Sequence, residues 1–291
     1  MMPRGALIRR ALVALLLRHG IALTPSGSVR VRDGAHGLWY KTVSPPSVAP
    51  LAAPLAAPLV VLHGGPGVPS DYLFSLAGLN GTRAVVFYDQ LGCGRSDAPS
   101  RDKVEYSPRA FAEDLAVLLR ELGLTRFHLY GQSWGGLLAF EYLTSPLAAG
   151  AECLSLTLSN CPTSVSLAVS EAGRLADACN GVKDFNARHV CRLAAYPRAL
   201  DDAYAHAGTV WRGTAAVLEH TAPPEAMARL RVPSLVVRGE HDFVTAECVR
   251  GWEALPRARL CTLEGASHHA LLENPDEYLA MLGEFLGECD E

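Results

Sequence analysis

Short, uniformly apolar runs alternate with helical patterns from Leu59 onward. Leu59–Leu62, Ala84–Tyr88, Phe127–Tyr130, Leu154–Ser159, Leu235–Arg238 and Leu260–Leu263 each end at a Gly, Asp or Asn-Cys-Pro turn. The clearest helical stretch is Phe111–Leu122, with apolar side chains at Phe111, Leu115, Leu118, Leu119 and Leu122. Strands that alternate with helices form right-handed βαβ units and a mainly parallel sheet. Such strands are covered on both faces, which is why they read as continuous apolar runs. The rhythm breaks between Cys161 and Leu230, where tracts such as Val165–Ala178 look helical and no strand stands out. This stretch is expected to be a helical insertion over the carboxyl edge of the sheet, where open α/β folds place their sites. The expected division is a core of residues 26–160 and 231–291, with residues 161–230 as a cap.

Upstream, Ser28–Arg32 and Leu38–Val43 flank Asp33-Gly34 and predict a hairpin. Ser44–Pro58 repeats Ala-Pro-Leu-Ala, and its prolines argue against a helix or a central strand. An extended surface loop is expected there. Residues 1–25 carry Arg4, Arg9, Arg10 and Arg18, no acid, and a short apolar run from Ala11 to Leu17. That run is too short to span a bilayer. An N-terminal extension of this kind is compatible with a plain helix, an Arg-rich targeting segment or a signal peptide.

The chain has 291 residues, of which 49% are hydrophobic, ample for a buried core. Its net charge of −4 with mixed signs argues against nucleic acid as a partner. Eight cysteines lack a Cys-x-x-Cys pair or zinc-like spacing. They point to reduced thiols in a cytoplasmic protein without a metal or cofactor, unless the N-terminus directs the chain to an organelle or outside the cell.

Chemistry is concentrated at Gly131-Gln132-Ser133-Trp134-Gly135, which fits G-x-S-x-G. An apolar strand runs into it and a helical run, Gly136–Leu143, leaves it. That is the strand–turn–helix setting of a nucleophile elbow, with glycines where side chains would collide. His63-Gly64-Gly65-Pro66-Gly67 follows another strand end and resembles a loop that lends an amide to an oxyanion hole. The amide of Trp134, next to the serine, is the expected second donor. His63 itself is read as structural.

A serine hydroxyl needs a base, and in elbow proteins the acid and the histidine follow in that order. Asp242, just past the Leu235–Arg238 strand, is the expected acid, with Glu240 and Glu247 as weaker candidates. The base is expected in Gly265-Ala266-Ser267-His268-His269. His128 and His241 are read as structural. An epoxide hydrolase or dehalogenase would carry an aspartate where Ser133 stands.

Taken together, His63–Gly67, Tyr88-Asp89-Gln90-Leu91-Gly92-Cys93-Gly94-Arg95-Ser96, Gly131–Gly136 and the His268 segment resemble the proline iminopeptidases and L-amino-acid amidases. The likeness runs from about Leu38 to the C-terminus and includes Arg188–Leu193 in the insertion. It implies the α/β-hydrolase fold: a mainly parallel, eight-stranded sheet flanked by helices, with a helical cap. It implies release of an N-terminal residue, often proline, from small peptides or amides. It also places the base at His268 rather than His269, by the match of Gly265-x-Ser267-His268 and Glu273-x-Pro275, and the oxyanion donors at Gly65 and Trp134.

This sequence departs from that family in two places. The family carries a glutamate after the acid, where Phe243 stands here, and another in an Asn-Glu-Phe segment that has no counterpart here. Those glutamates hold the substrate's free amine. Glu171 and Glu219 are the candidates to replace them, Glu171 first, with Phe243 lining the substrate site. Without such an anchor, a hydrolase of small esters or acylated amides is the alternative; a non-catalytic ligand-binding protein on the same fold is a third reading.

Overall fold

The computed structural model describes residues 26–45 and 56–291. The extension 1–25 and most of the Pro/Ala stretch, 46–55, lie outside the described residues. Eight strands form one sheet: β1 Ser26–Val31, β2 His36–Val43, β3 Ala56–Leu62, β4 Arg83–Tyr88, β5 Arg126–Gln132, β6 Glu152–Ser159, β7 Ser234–Gly239 and β8 Ala258–Leu263. Their order is β1-β2-β4-β3-β5-β6-β7-β8. β1 and β2 form the expected antiparallel hairpin, and β2 pairs antiparallel with β4. All other pairings are parallel. This is the α/β-hydrolase arrangement.

Why the central strands carry apolar residues toward both faces is visible in their side-chain alternation. Val60 and Leu62 of β3, Val86 of β4, and Leu129 of β5 join one core layer. That layer includes Phe111, Leu115 and Leu118 of helix α1 (Pro108–Glu121) and Leu137, Leu138 and Phe140 of helix α2 (Trp134–Thr144). Leu59, Val61, Val85 and Phe87 point the other way, against Tyr72, Leu73 and Leu76 of the 3-10 helix Ser70–Gly81. The C-terminal helix Pro275–Asp290 adds Tyr278, Leu282 and Leu286 to that side. Each fully buried large apolar side chain contributes roughly 2 kcal/mol by transfer from water. Helix α1 starts earlier than its apolar pattern suggests, because Pro108 occupies its first turn and the Ser107 hydroxyl accepts from the Ala110 amide at 3.2 Å.

One sequence expectation needs correction. β3 begins at Ala56, so Pro58 lies within a central strand rather than in a surface loop. The pairing with β4 shifts register between Ala56 and Leu59, and that irregularity accommodates a residue with no N–H to give. β8 also differs from a doubly buried strand: it is at the sheet edge, and Leu260 is 41% exposed.

Between β6 and β7 the chain is helical, with α3 (Val165–Ala176), α4 (Arg198–Ala205) and shorter turns. An isolated bridge, Ser164 to Thr221, is the only extended pairing in this stretch among the described residues. No helix of the described residues is long and apolar enough to cross a membrane.

At the end of the sheet where the parallel strands begin, Asp290 gathers β3, β4 and β5. Its carboxylate accepts from Ala57 N of β3 at 3.2 Å and from Arg83 of β4 at 2.6 Å. It also lies 3.1 Å from His128 Nε2 of β5, while His128 Nδ1 meets Ser155 Oγ at 2.7 Å. Burial depresses the His128 imidazole to about 4, against the pull of Asp290. Because the unfolded histidine titrates near 6.5, the unfolded chain binds more protons between about pH 6.5 and 4. Stability is therefore lost as pH falls through that window, by on the order of 3 kcal/mol from this residue alone. Thermal melts should show Tm falling across the window, and falling less steeply in His128→Gln; an equal slope in both proteins would exclude His128 as the source.

Candidate active site

β5 ends at Gln132 and α2 begins at Trp134, so Ser133 alone turns the chain. It does so at φ 53° and ψ −121°, a conformation that costs on the order of 1–3 kcal/mol for a residue with a side chain. Backbone bonds hold it there: Ser133 N donates to Ser159 O at 2.8 Å, and Gly136 N to Ser133 O at 3.0 Å. A Cβ on Gly131 would meet the Gly135 carbonyl, and one on Gly135 would meet the carbonyls of Leu62 and His63. The elbow is thus packed backbone to backbone against the end of β3, as the glycine spacing predicts.

The loop after β3 carries Gly65 at φ 116°. Beneath it His63 is fully buried, and its Nε2 accepts from Gln90 N at 2.8 Å. The Gln90 side chain donates to His63 O at 2.7 Å and accepts from Trp134 Nε1 at 2.9 Å. One glutamine therefore ties the Gly65 loop to the residue after Ser133. Burial lowers the His63 pKa, which keeps the ring neutral and able to accept. Trp134 is the first residue of α2, so its own amide has no intrahelical acceptor.

Asp242 and His268 come from the loops after β7 and β8. His268 Nδ1 lies 2.9 Å from Asp242 Oδ1. The buried carboxylate also accepts from Val244 N at 2.9 Å and from Asn160 Nδ2 at 2.7 Å. Asn160, at φ 50° just past β6, donates to Ser267 O as well, at 3.1 Å. Phe243 packs on His268 with ring centroids 4.2 Å apart. The neighbouring His269 turns elsewhere: its Nε2 meets Tyr204 OH of α4 at 3.2 Å, and burial drives its pKa well below the usual histidine range. Glu273 accepts from both Ser267 N and Ser267 Oγ and from Arg192 N at 2.7 Å, joining the His268 loop to the insertion.

A cavity of about 510 Å³ opens over these residues. Gly65, Ser133, Trp134, Phe243, His268 and His269 line it, together with Tyr72, Gln132, Val165, Ala168, Tyr204, Arg212 and Val217. Its ceiling comes from the insertion, which is stitched to the loops below. Gly208 N donates to Gly67 O at 2.8 Å, Gly213 N to Pro66 O at 2.9 Å, and Gly94 N to His206 O at 3.2 Å.

The weaker candidates lie outside this cavity. Glu240 accepts from Gly265 N at 2.9 Å, and Glu247 pairs with Arg250 on the surface. Glu171 does not line the cavity either: its carboxylate is held by Arg174 at 2.8 Å and Thr245 Oγ1 at 2.9 Å, bonds that pull it down to about 2. Glu219 is exposed. No Asp or Glu is among the described residues lining the cavity, and no group of three or more His, Cys, Asp or Glu among the described residues could hold a metal ion. Asn160, Gln90 and Tyr72 were not singled out by the sequence, where only the motif around Gln90 hinted at a role.

Comparison with known proteins agrees with this architecture. The profile of the alpha/beta hydrolase family matches residues 59–281. A proline iminopeptidase of Lactobacillus helveticus is 31% identical over 271 residues, covering 80% of this chain and 90% of the relative. One of Heyndrickxia coagulans is 31% identical over 264 residues, covering 78% and 90%. The crystal structure of proline iminopeptidase from Mycobacterium smegmatis superposes with a TM-score of 0.79 at 28% identity, covering 91% of this chain and 98% of that one. The chain is a hydrolase of the alpha/beta hydrolase family and belongs to the group that holds the proline iminopeptidases.

Proposed function

We propose that the chain is a serine hydrolase that works through an acyl-Ser133 intermediate, with a core of residues 26–160 and 231–291 and a cap of residues 161–230. The observation that carries this reading is a serine held at φ 53° in the cavity that His268 enters, with His268 Nδ1 bonded to Asp242. Ser133 Oγ attacks the substrate carbonyl and passes its proton to His268 Nε2. Asp242, fixed by Asn160 and Val244 N, stabilises the imidazolium. The amides of Gly65 and Trp134 take the oxyanion, a contribution of roughly 3 kcal/mol per donor. Collapse expels the amine or alcohol with the proton from His268, and water then releases the acyl group by the same steps.

Two substrate readings remain within this chemistry. The relatives' name points to release of an N-terminal residue such as proline from small peptides or amides. The cavity favours the second, hydrolysis of small esters and acylated amides. A buried ammonium is costly without a carboxylate beside it. Here the lining offers Phe243, Val165, Ala168 and Val217, and its one permanently charged side chain is the cation Arg212.

Ser133→Ala and His268→Ala should each lower kcat by several orders of magnitude, since such residues act as a unit. His269→Ala should cost less than tenfold. Equal losses at His268 and His269, with circular dichroism unchanged, would assign the base wrongly. A second measurement compares kcat/KM for proline anilide with that for its N-acetyl form. A ratio within tenfold, or one favouring the acetylated substrate, is expected. A preference of a hundredfold or more for the free amine, about 2.7 kcal/mol, would establish an ammonium anchor and return the aminopeptidase reading to first place.

A further inference from the structure

Gln132 precedes the serine in the G-x-S-x-G motif, and the motif itself asks nothing of its side chain. In the structure that side chain is buried and fully engaged. Its Nε2 lies 3.2 Å from His268 Nε2 and 3.3 Å from His268 O. Its Oε1 accepts from Tyr72 OH at 2.8 Å, and Tyr72 OH in turn accepts from Gly64 N at 2.8 Å.

The donors and acceptors in this chain can be assigned one by one. Gly64 N can only donate, so the Tyr72 hydroxyl accepts there and its own proton is free for Gln132 Oε1. Burial holds that phenol protonated, well above its usual range. A backbone carbonyl can only accept, so the group of Gln132 that faces His268 O is the NH2. The same NH2 faces His268 Nε2, which must then be the unprotonated nitrogen, with the ring proton on Nδ1 toward Asp242.

We propose that Gln132 is a positioning residue for the reaction: its amide caps the lone pair of His268 Nε2 and, through Tyr72, couples the base to the amide-bearing loop at Gly64. The inference rests on the serine-hydrolase reading above. Gln132 holds the base aimed, with its Nε2 lone pair turned to the amide, before substrate arrives, and gives up Nε2 when the Ser133 proton is transferred. The same network sets the spacing between the base and the loop of Gly65. The other titratable groups around His268 are Asp242 beyond its Nδ1, His269 beside it and Tyr72 behind Gln132, while the backbone carbonyl of His189 accepts from His268 N at 3.3 Å. Arg212 and Tyr204 share the cavity.

The test is the rate of Ser133 labelling by a fluorophosphonate as a function of pH, which is independent of substrate specificity. A donor on Nε2 favours the neutral ring, so its removal moves the acid midpoint of the profile upward. Gln132→Met, similar in size but without a donor, should raise the midpoint by about half to one pH unit. Gln132→Glu, which presents an acceptor, should raise it further. Tyr72→Phe, which frees the amide to rotate, should raise it by less than Gln132→Met and provides the same reading if the Gln132 variants fail to fold. Slower labelling with unmoved midpoints would reduce Gln132 to packing and overturn the proposal. Failure of the wild type to label at Ser133 would sink the nucleophile reading and this proposal with it.

Discussion

The first turn of α2 lies directly on the last carbonyls of β3, with nothing but the backbone of Gly135 between them. Much of the site follows from that approach. It brings the end of β5 and the loop after β3 within one hydrogen bond of each other, so Gln90 can span from His63 to Trp134. It leaves Ser133 no room for a relaxed conformation. The strain at that residue is held by rigid elements on both sides, which suits the nucleophile role proposed for it.

Around this contact the polar groups are arranged so that buried rings stay neutral. His63 accepts from a backbone amide beneath the Gly65 loop, and His269 is pressed between Tyr72 and Tyr204. Burial keeps protons off both. Asp242 is satisfied by three donors from three segments, so its buried carboxylate is not left without partners. Arg212 is the one permanently charged side chain among the described residues lining the cavity.

The fold was legible where burial dictates composition. The middles of β4 (Ala84–Tyr88) and β7 (Leu235–Val237) are apolar because both faces are covered, and the glycines of the elbow are forced by backbone contact. Legibility failed at Pro58, where a register shift inside a central strand removes the penalty that local rules assign to proline. Motif and chain order single out Ser133 and Asp242 as candidates, each just past a strand end, but offer His268 and His269 alike; only the family resemblance chooses His268. Asn160 could not: the run Asn160-Cys161-Pro162 reads only as a turn, and its partners Asp242 and Ser267 arrive from strands far along the chain. Gln132 was hidden for a similar reason, since the motif leaves its position free. The place of Glu171 in the insertion does not reveal that Arg174 and Thr245 already occupy its carboxylate.

The stitching of residues 206–213 to the loops at Gly67, Pro66 and Gly94 makes the ceiling and the floor of the cavity one body. A bulky substrate that pushes the ceiling outward drags the Gly65 loop with it. Making room and misplacing the amide that would receive the developing charge are then the same motion. In the proposed mechanism, discrimination against oversized substrates would accordingly fall on the rate of the chemical step rather than on binding, a size filter that admits a molecule and then declines to react with it.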